Sequence, residues 1–116
     1  PIRVMGMHLD LSGLRRRQQL RAIQAHLHSQ PSACPAVLMG DFNCDPDSAE
    51  MRPLYQRTRL TPPSSCVPTF PSWAPERALD HILTAGFKVS DYRALPAAGS
   101  DHLAVAVQLT PATAKN

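Results

Sequence analysis

Apolar and polar positions change period several times along the chain. Residues 2–9, with Ile2-Arg3-Val4-Met5-Gly6-Met7 ahead of His8-Leu9, read as a strand. Ser12 and Gly13 turn the chain, and from about Leu14 to Ser29 the apolar residues Leu20, Ile23 and Leu27 recur at helical spacing. The run Pro31-Ser32-Ala33-Cys34-Pro35 ends that helix and leads into a strand over 36–40. Pro46 to Glu50 reads as a helix start, with Asp47 as cap, Glu50 three residues on, and Met51, Leu54 and Tyr55 as the buried face. Residues 60–76 are rich in Pro and Ser and read as an irregular loop. Strands follow at 79–85 and 87–94 with Gly86 at the turn, then a loop to Ser100 and a closing strand over 103–109. Residues 1–110 form one domain without internal repeats, and 111–116 a frayed tail. The order β-α-β-α-β-β-β predicts an α+β fold, a mixed sheet with helices on one face. Strands 36–40 and 103–109 are apolar on both faces, so something must also cover the side away from the helices.

Composition narrows the class. A chain of 116 residues with 43% hydrophobic and 18% charged residues supports one globular core and excludes global disorder. No apolar run approaches the ~20 residues of a membrane span, and no basic-then-apolar leader opens the sequence. The three cysteines, Cys34, Cys44 and Cys66, show no metal-ligand spacing and cannot all pair within the chain. They read as free thiols, which favours a reducing, cytoplasmic setting.

Candidate chemistry gathers where apolar runs end. Gly40-Asp41-Phe42-Asn43 follows Ala36-Val37-Leu38-Met39, and Ser100-Asp101-His102 precedes Leu103-Ala104-Val105-Ala106-Val107. Side chains two apart on a strand point the same way, so Asp41 and Asn43 share one side while Phe42 enters the core. Gly40 lacks a Cβ and permits close approach to the backbone. Asp80 lies in Leu79-Asp80-His81-Ile82-Leu83, which looks largely buried. A carboxylate there needs a cationic or hydrogen-bonding partner, and a histidine from elsewhere in the fold is the natural one. Taken singly, His8, Asp80 and Asp101 are each also compatible with ordinary structural roles. His26, His28 and His81 have no convergent partners and read as structural. The net charge of +3 is mild. With Asp41, Asp80 and Asp101 set aside in a site, however, twelve basic residues face six remaining acidic ones, a formal +6 that favours anionic substrates. For the arginines Arg15, Arg16, Arg17 and Arg21 a solvated helix face is the favoured reading over phosphate or partner binding.

The order of these motifs resembles the endonuclease/exonuclease/phosphatase superfamily, which includes deoxyribonucleases, abasic-site endonucleases, sphingomyelinases and inositol polyphosphate phosphatases. An apolar strand ending in His8-Leu9, an arginine-rich helix, Gly40-Asp41-Phe42-Asn43, Thr69-Phe70-Pro71-Ser72, Leu79-Asp80-His81-Ile82 and Ser100-Asp101-His102 carry the resemblance from about Ile2 to Leu109. Two departures are His81, where members often have Tyr or Arg, and Ala104, where many have Pro. The resemblance implies metal-dependent hydrolysis of a phosphate ester by in-line attack of water. By motif, His8 would hydrogen-bond a phosphate oxygen, Asp41 would orient or deprotonate the water or reach a metal, and Asn43 would donate to the scissile phosphate. Asp101 would bind or orient the metal, and His102 would act at the phosphate, held in its tautomer by Asp80. The implied catalytic set is His8, Asp41, Asn43, Asp80 and His102, the metal set Asp41, Asn43 and Asp101. Oxygen-rich ligation points to Mg²⁺, with Mn²⁺ as a substitute. Thr69, Phe70 and Trp73 are candidates for the substrate side, with packing of that loop onto its own sheet as the alternative.

Members of the superfamily have roughly twice this length and two similar halves, together a four-layer α/β/β/α sandwich. The motifs here match the C-terminal half. The N-terminal half would bring an Asn, a metal-binding Glu and the carboxylate partner of the histidine at position 8; Glu50 and Glu76, the only glutamates, sit in no such context. The chain therefore reads as a fragment of an enzyme, its apolar sheet face awaiting the missing half or a second copy. The alternative is a non-catalytic half-domain that assembles and hydrolyses nothing. DNA, RNA, nucleotide, phospholipid and inositol phosphate all remain open as substrates.

Overall fold

The computed structural model describes residues 1–31 and 34–112. The elements run β1 (Arg3–His8), α1 (Gly13–His28), β2 (Ala36–Asp41), α2 (Arg52–Arg57), β3 (Asp80–Ala85), β4 (Phe87–Ala94) and β5 (Val105–Pro111), the order predicted from the sequence. β1 and β2 pair in parallel and β2 and β3 antiparallel, giving a three-stranded mixed sheet with β2 in the centre. β4 and β5 form a separate antiparallel ribbon.

Register decides which residues face the helices. Met5, Leu38 and Leu83 stand in one row and Arg3, Ala36 and Ala85 in the next on the same face. Leu20 of α1, Met51 and Leu54 at α2 pack there with Leu38, Leu83, Phe42 and Leu60 into one core, and Ile23, Leu27 and Tyr55 close its margin. Apolar spacing along α1 thus buries one stripe only. One helix layer on one sheet is half of a four-layer sandwich, as the sequence implied. Among the described residues no helix layer covers the other face, where Val37 and Thr84 are buried but Val4 is 59% exposed, Ile2 55% and Met39 39%. No helix among the described residues is long and apolar enough to cross a membrane, and Cys34, Cys44 and Cys66 are free thiols.

Several local expectations are corrected. Residues 46–50 form turns rather than a capped helix; α2 starts after Met51, without a side-chain cap, and has Pro53 in its first turn. Glu50 instead pairs with Arg16, whose expected solvated position is replaced by a half-buried one. Gly86, at φ +84, does not close a hairpin between β3 and β4. It redirects the chain so that β4 joins β5, while the outer edge of β3 is met by Thr61, bridged to Thr84, and by the Tyr92 hydroxyl, which accepts from the Ile82 N–H. These partners occupy backbone groups that an added strand would need. Pro111, expected in the tail, ends β5; residues 113–116 of that tail and Ser32 and Ala33 of the predicted Pro31–Pro35 connection lie outside the described residues.

Gly40 has φ +146, and a Cβ there would come within 1.8 Å of the Met7 carbonyl oxygen. Gly40→Ala is therefore expected to destabilise the fold by about 3 kcal/mol or more, because backbone strain and a backbone clash add. Gly6, on the open face with nothing within 4 Å of such an atom, is the control. Gly6→Ala should leave the midpoint of chemical denaturation nearly unchanged, and equal midpoints for the two variants would refute this account of Gly40.

Candidate functional site

The last row of the sheet carries chemistry instead of core. His8, Asp41 and Asp80 are direct neighbours across β1, β2 and β3, all on the open face. The loop 100–103 brings His102 to the same row. Its Nδ1 lies 2.7 Å from Asp80 Oδ2, and its Nε2 lies 3.7 Å from Asp41 Oδ2, which is itself 3.4 Å from His8 Nε2. Asn43 follows one step outside the sheet in a left-handed conformation, φ +50. Its backbone N–H donates to Asp41 Oδ1 at 2.9 Å and its side-chain amide to the Leu9 carbonyl at 2.6 Å. Phe42 between them is fully buried, as the alternation required.

The Asp80–His102 pair has a fixed polarity. The Thr69 hydroxyl accepts from the Leu79 N–H, so its own proton is directed at Asp80 Oδ2, 2.6 Å away. That oxygen accepts from Thr69 and from His102 together, which places a proton on His102 Nδ1 and leaves Nε2 facing Asp41. Backbone bonds hold the loop: Leu103 N–H to the Thr69 carbonyl, Ser72 N–H to the Asp101 carbonyl and the Ser72 hydroxyl to the Ser100 carbonyl. The Phe70 ring packs against the His102 ring with centroids 4.9 Å apart. Partial burial works against a charged His102 ring, but the hydrogen bond to Asp80 and the charges of Asp80, Asp41 and Asp101 outweigh it and raise its pKa above the ordinary value.

His8, Asp41, Asn43, Asp80 and His102 open into one cavity of about 820 Å³, lined also by Asp10, Gln19, Arg77 and Asp101. Six of the sequence candidates, His8, Asp41, Asn43, Asp80, Asp101 and His102, line it, with Phe70. Two substrate-side candidates stand elsewhere. Thr69 has no exposed surface and backs Asp80 from within, and Trp73, 76% exposed, is outside the cavity wall. His81 is a core histidine: 3% exposed, its Nε2 2.8 Å from the Cys44 carbonyl oxygen, its pKa lowered by burial. Buried Cys44 likewise has its thiol pKa pushed up by burial, against any nucleophilic role.

The donor set suits a hard cation. Asp41, Asp80 and His102 offer ligand atoms within 4.8 Å of one another. The 2.7 Å Asp80–His102 contact leaves no room for an ion between those two atoms. Asp41, with the exposed Asp101 on the rim, is the carboxylate with capacity to spare. Four carboxylates against the single arginine Arg77 leave the cavity strongly negative, which a divalent ion would offset. Asp10, Gln19 and Arg77 belong to none of the motifs and reach the cavity only through tertiary packing.

The family model described as Endonuclease/Exonuclease/phosphatase family matches residues 4–102. Among solved structures, a functionally unknown conserved protein from Enterococcus faecalis superposes with a TM-score of 0.79 at 21% identity, over 93% of this chain and 49% of that one. A mannosyl-6-phosphatase from Bacteroides thetaiotaomicron gives 0.75 at 22% identity, over 90% and 49%. An endonuclease/exonuclease/phosphatase family protein of the same organism gives 0.75 at 23%, over 90% and 48%. At such identities the likeness is one of fold. The chain spans about half the length of the solved structures it matches, and no curated protein matches it.

His102 should titrate above the ~6.5 of an ordinary imidazole in an NMR pH series, and Asp80→Asn should lower its midpoint. Because the folded-state pKa is the raised one, the stability contributed by this pair is complete below about pH 6.5. It is lost as pH rises through the folded-state value. A His102 midpoint unmoved by Asp80→Asn would contradict the assigned polarity.

Proposed function

The chain belongs to the endonuclease/exonuclease/phosphatase family, and from that premise we propose that it forms the C-terminal half of a divalent-metal-dependent phosphoric ester hydrolase. The observation that carries this reading is the row His8–Asp41–Asp80 with His102 closing it, two imidazole Nε2 atoms converging on one carboxylate oxygen. Imidazoles beside a carboxylate can hold a phosphoryl oxygen on one side and an attacking water on the other.

A Mg²⁺ ion, or Mn²⁺ in its place, would be held by Asp41, with Asp101 and Asn43 of the same cavity as further candidate ligands, and would neutralise phosphate charge and acidify a bound water. His8, its side chain 74% exposed, is free to turn its Nε2 to a non-bridging phosphate oxygen. One proton of the Asn43 side-chain amide is spent on Leu9, so the other is the one available to the ester. Asp41 Oδ2 orients or deprotonates water, since Oδ1 already accepts from Asn43. With Nδ1–H committed to Asp80, His102 presents Nε2 to the reacting group, as base when neutral and as electrostatic stabiliser when charged. Phe70 forms an apolar wall beside it. DNA, RNA, nucleotide, phospholipid and sugar or inositol phosphates all meet these requirements.

A second reading follows from the open sheet face. Ile2, Val4 and Met39 in water are a surface that monomers tend to cover. We read it as the contact for the second sheet of the sandwich, supplied by the other half of the fold or, for this chain alone, by a second copy in a homodimer. Such a dimer would lack the N-terminal metal-binding carboxylate, so assembly with little catalysis is expected of the 116-residue chain.

In the enzyme containing both halves, turnover of phosphate esters should vanish with EDTA and return with Mg²⁺. Asp41→Ala or His102→Ala should lower it by about 10²–10³-fold or more. Turnover undiminished by either treatment would end the mechanism. For the isolated chain, sedimentation across a concentration series should show self-association; a monomer at every concentration would reject the pairing of copies.

A further inference from the structure

Arg16 makes more hydrogen bonds than a helix-surface residue requires. Its Nε and Nη2 donate to the two carboxylate oxygens of Glu50, each at 2.7 Å, and its Nη1 donates to the Leu11 carbonyl at 2.6 Å and the Asp10 carbonyl at 3.2 Å. Only 13% of the Arg16 side chain and 17% of the Glu50 side chain are exposed. The hydrogen bond from Arg16, against the cost of burial, lowers the Glu50 pKa. One planar guanidinium thus ties together the start of α1, the loop after β1 and the loop after β2. Those two loops begin at His8 and at Asp41.

The grip on the β1–α1 loop reaches the candidate site within one residue. The Asp10 N–H donates to Gln19 Oε1 at 2.8 Å, and Leu9 N–H donates to the Asp41 carbonyl at 2.8 Å. The Leu9 carbonyl accepts the Asn43 side-chain amide. Every backbone N–H and C=O of Leu9 and Asp10 is therefore bonded. The Leu9 side chain is buried in the core, but Leu11 is 83% exposed and Leu14 70%, so beyond Leu9 hydrogen bonds rather than apolar packing hold the loop and orient its carbonyls. Asn43 needs that support, because a left-handed conformation is strained for a residue with a side chain.

We propose that the Arg16–Glu50 pair is a positioning device for the site: it fixes the Leu9 carbonyl, and through it the Asn43 amide beside Asp41, where an anionic ester and its cation are held. This rests on the phosphoesterase reading above. Arg is required because four donors in a planar fork serve a carboxylate and two carbonyls together, which the single ammonium of Lys does not match.

The test uses the ¹⁵N-labelled chain and three variants, Arg16→Lys, Glu50→Gln and, as control, the exposed Arg17→Lys. NMR follows exchange of the Asn43 side-chain amide protons and broadening of Asn43 and His102 signals by added Mn²⁺. Arg16→Lys should speed Asn43 exchange by about tenfold or more and weaken the Mn²⁺ midpoint by about 10-fold, while signals of the Leu38 and Leu83 methyl groups stay in place. Arg17→Lys should change neither reading. Wild-type Asn43 exchange in folded Arg16→Lys would overturn the proposal and leave the pair as a staple between segments. If Arg16→Lys loses its folded spectrum, Glu50→Gln decides: faster Asn43 exchange supports positioning, and wild-type exchange rejects it. Failure of the phosphoesterase reading looks different, as absence of site-specific Mn²⁺ broadening in the unaltered chain, and the Asn43 exchange rates then judge the positioning role alone.

Discussion

Strand register is the constraint on which the site depends. Leu38 in β2 sits between Met5 and Leu83, and three residues further along the same strand Asp41 sits between His8 and Asp80. Because side chains alternate, the first row faces the helices and the second faces away. A slip of one residue in either pairing would expose the fully buried Leu38 and Leu83 and push a carboxylate toward the core. Hydrophobic burial on one face therefore fixes the placement of the candidate site groups on the other. Gly40 takes part in this, since its backbone passes so close to Met7 that no side chain fits.

Two histidines of this chain show how environment assigns chemistry. His81 follows Asp80 directly, yet its ring enters the core against Phe42 and meets a backbone carbonyl, where burial disfavours the charged form. His102 sits at the surface end of the same sheet among three aspartates and is biased toward the charged form. The Thr69 hydroxyl, invisible to substrate, directs a proton at the Asp80 oxygen that also holds His102, so a buried residue with no contact to the cavity sets the orientation of one that lines it. Hydrogen bonds from such supporting residues commonly determine tautomer and ring angle at reactive sites.

The sheet is finished on one side and open on the other, and the site lies at the margin of the open side. Groups there are positioned from beneath, by strands, and from one flank, by the loops of Leu9–Ser12 and Thr69–Ser72. The opposite flank is the one that the proposed second half or second copy would close. Precise placement of the chain's own groups thus coexists with an incomplete enclosure, which explains why the same structure supports both a catalytic reading and an assembly reading.

The sequence alone determined the element order, because short apolar runs and the near-3.6 spacing of Leu20, Ile23 and Leu27 are separated by turn-forming residues, and it brought His8, Asp41, Asn43, Asp80, Asp101 and His102 under suspicion through short motifs in a familiar order. It also determined that Phe42 is buried between Asp41 and Asn43, a consequence of alternation alone. Tertiary structure decided what local pattern cannot encode. Whether Arg16 is solvated depends on Glu50, 34 positions away, and Glu50 was free to pair because residues 46–50 turn instead of forming the capped helix that Asp47 suggested. Whether Thr69 meets substrate or supports Asp80 depends on which way a loop packs. Whether Gly86 closes a hairpin depends on β5 competing for β4. Each is a choice between local conformations of similar energy, settled by contacts distant in sequence, and contacts of that kind exist only once the chain has folded.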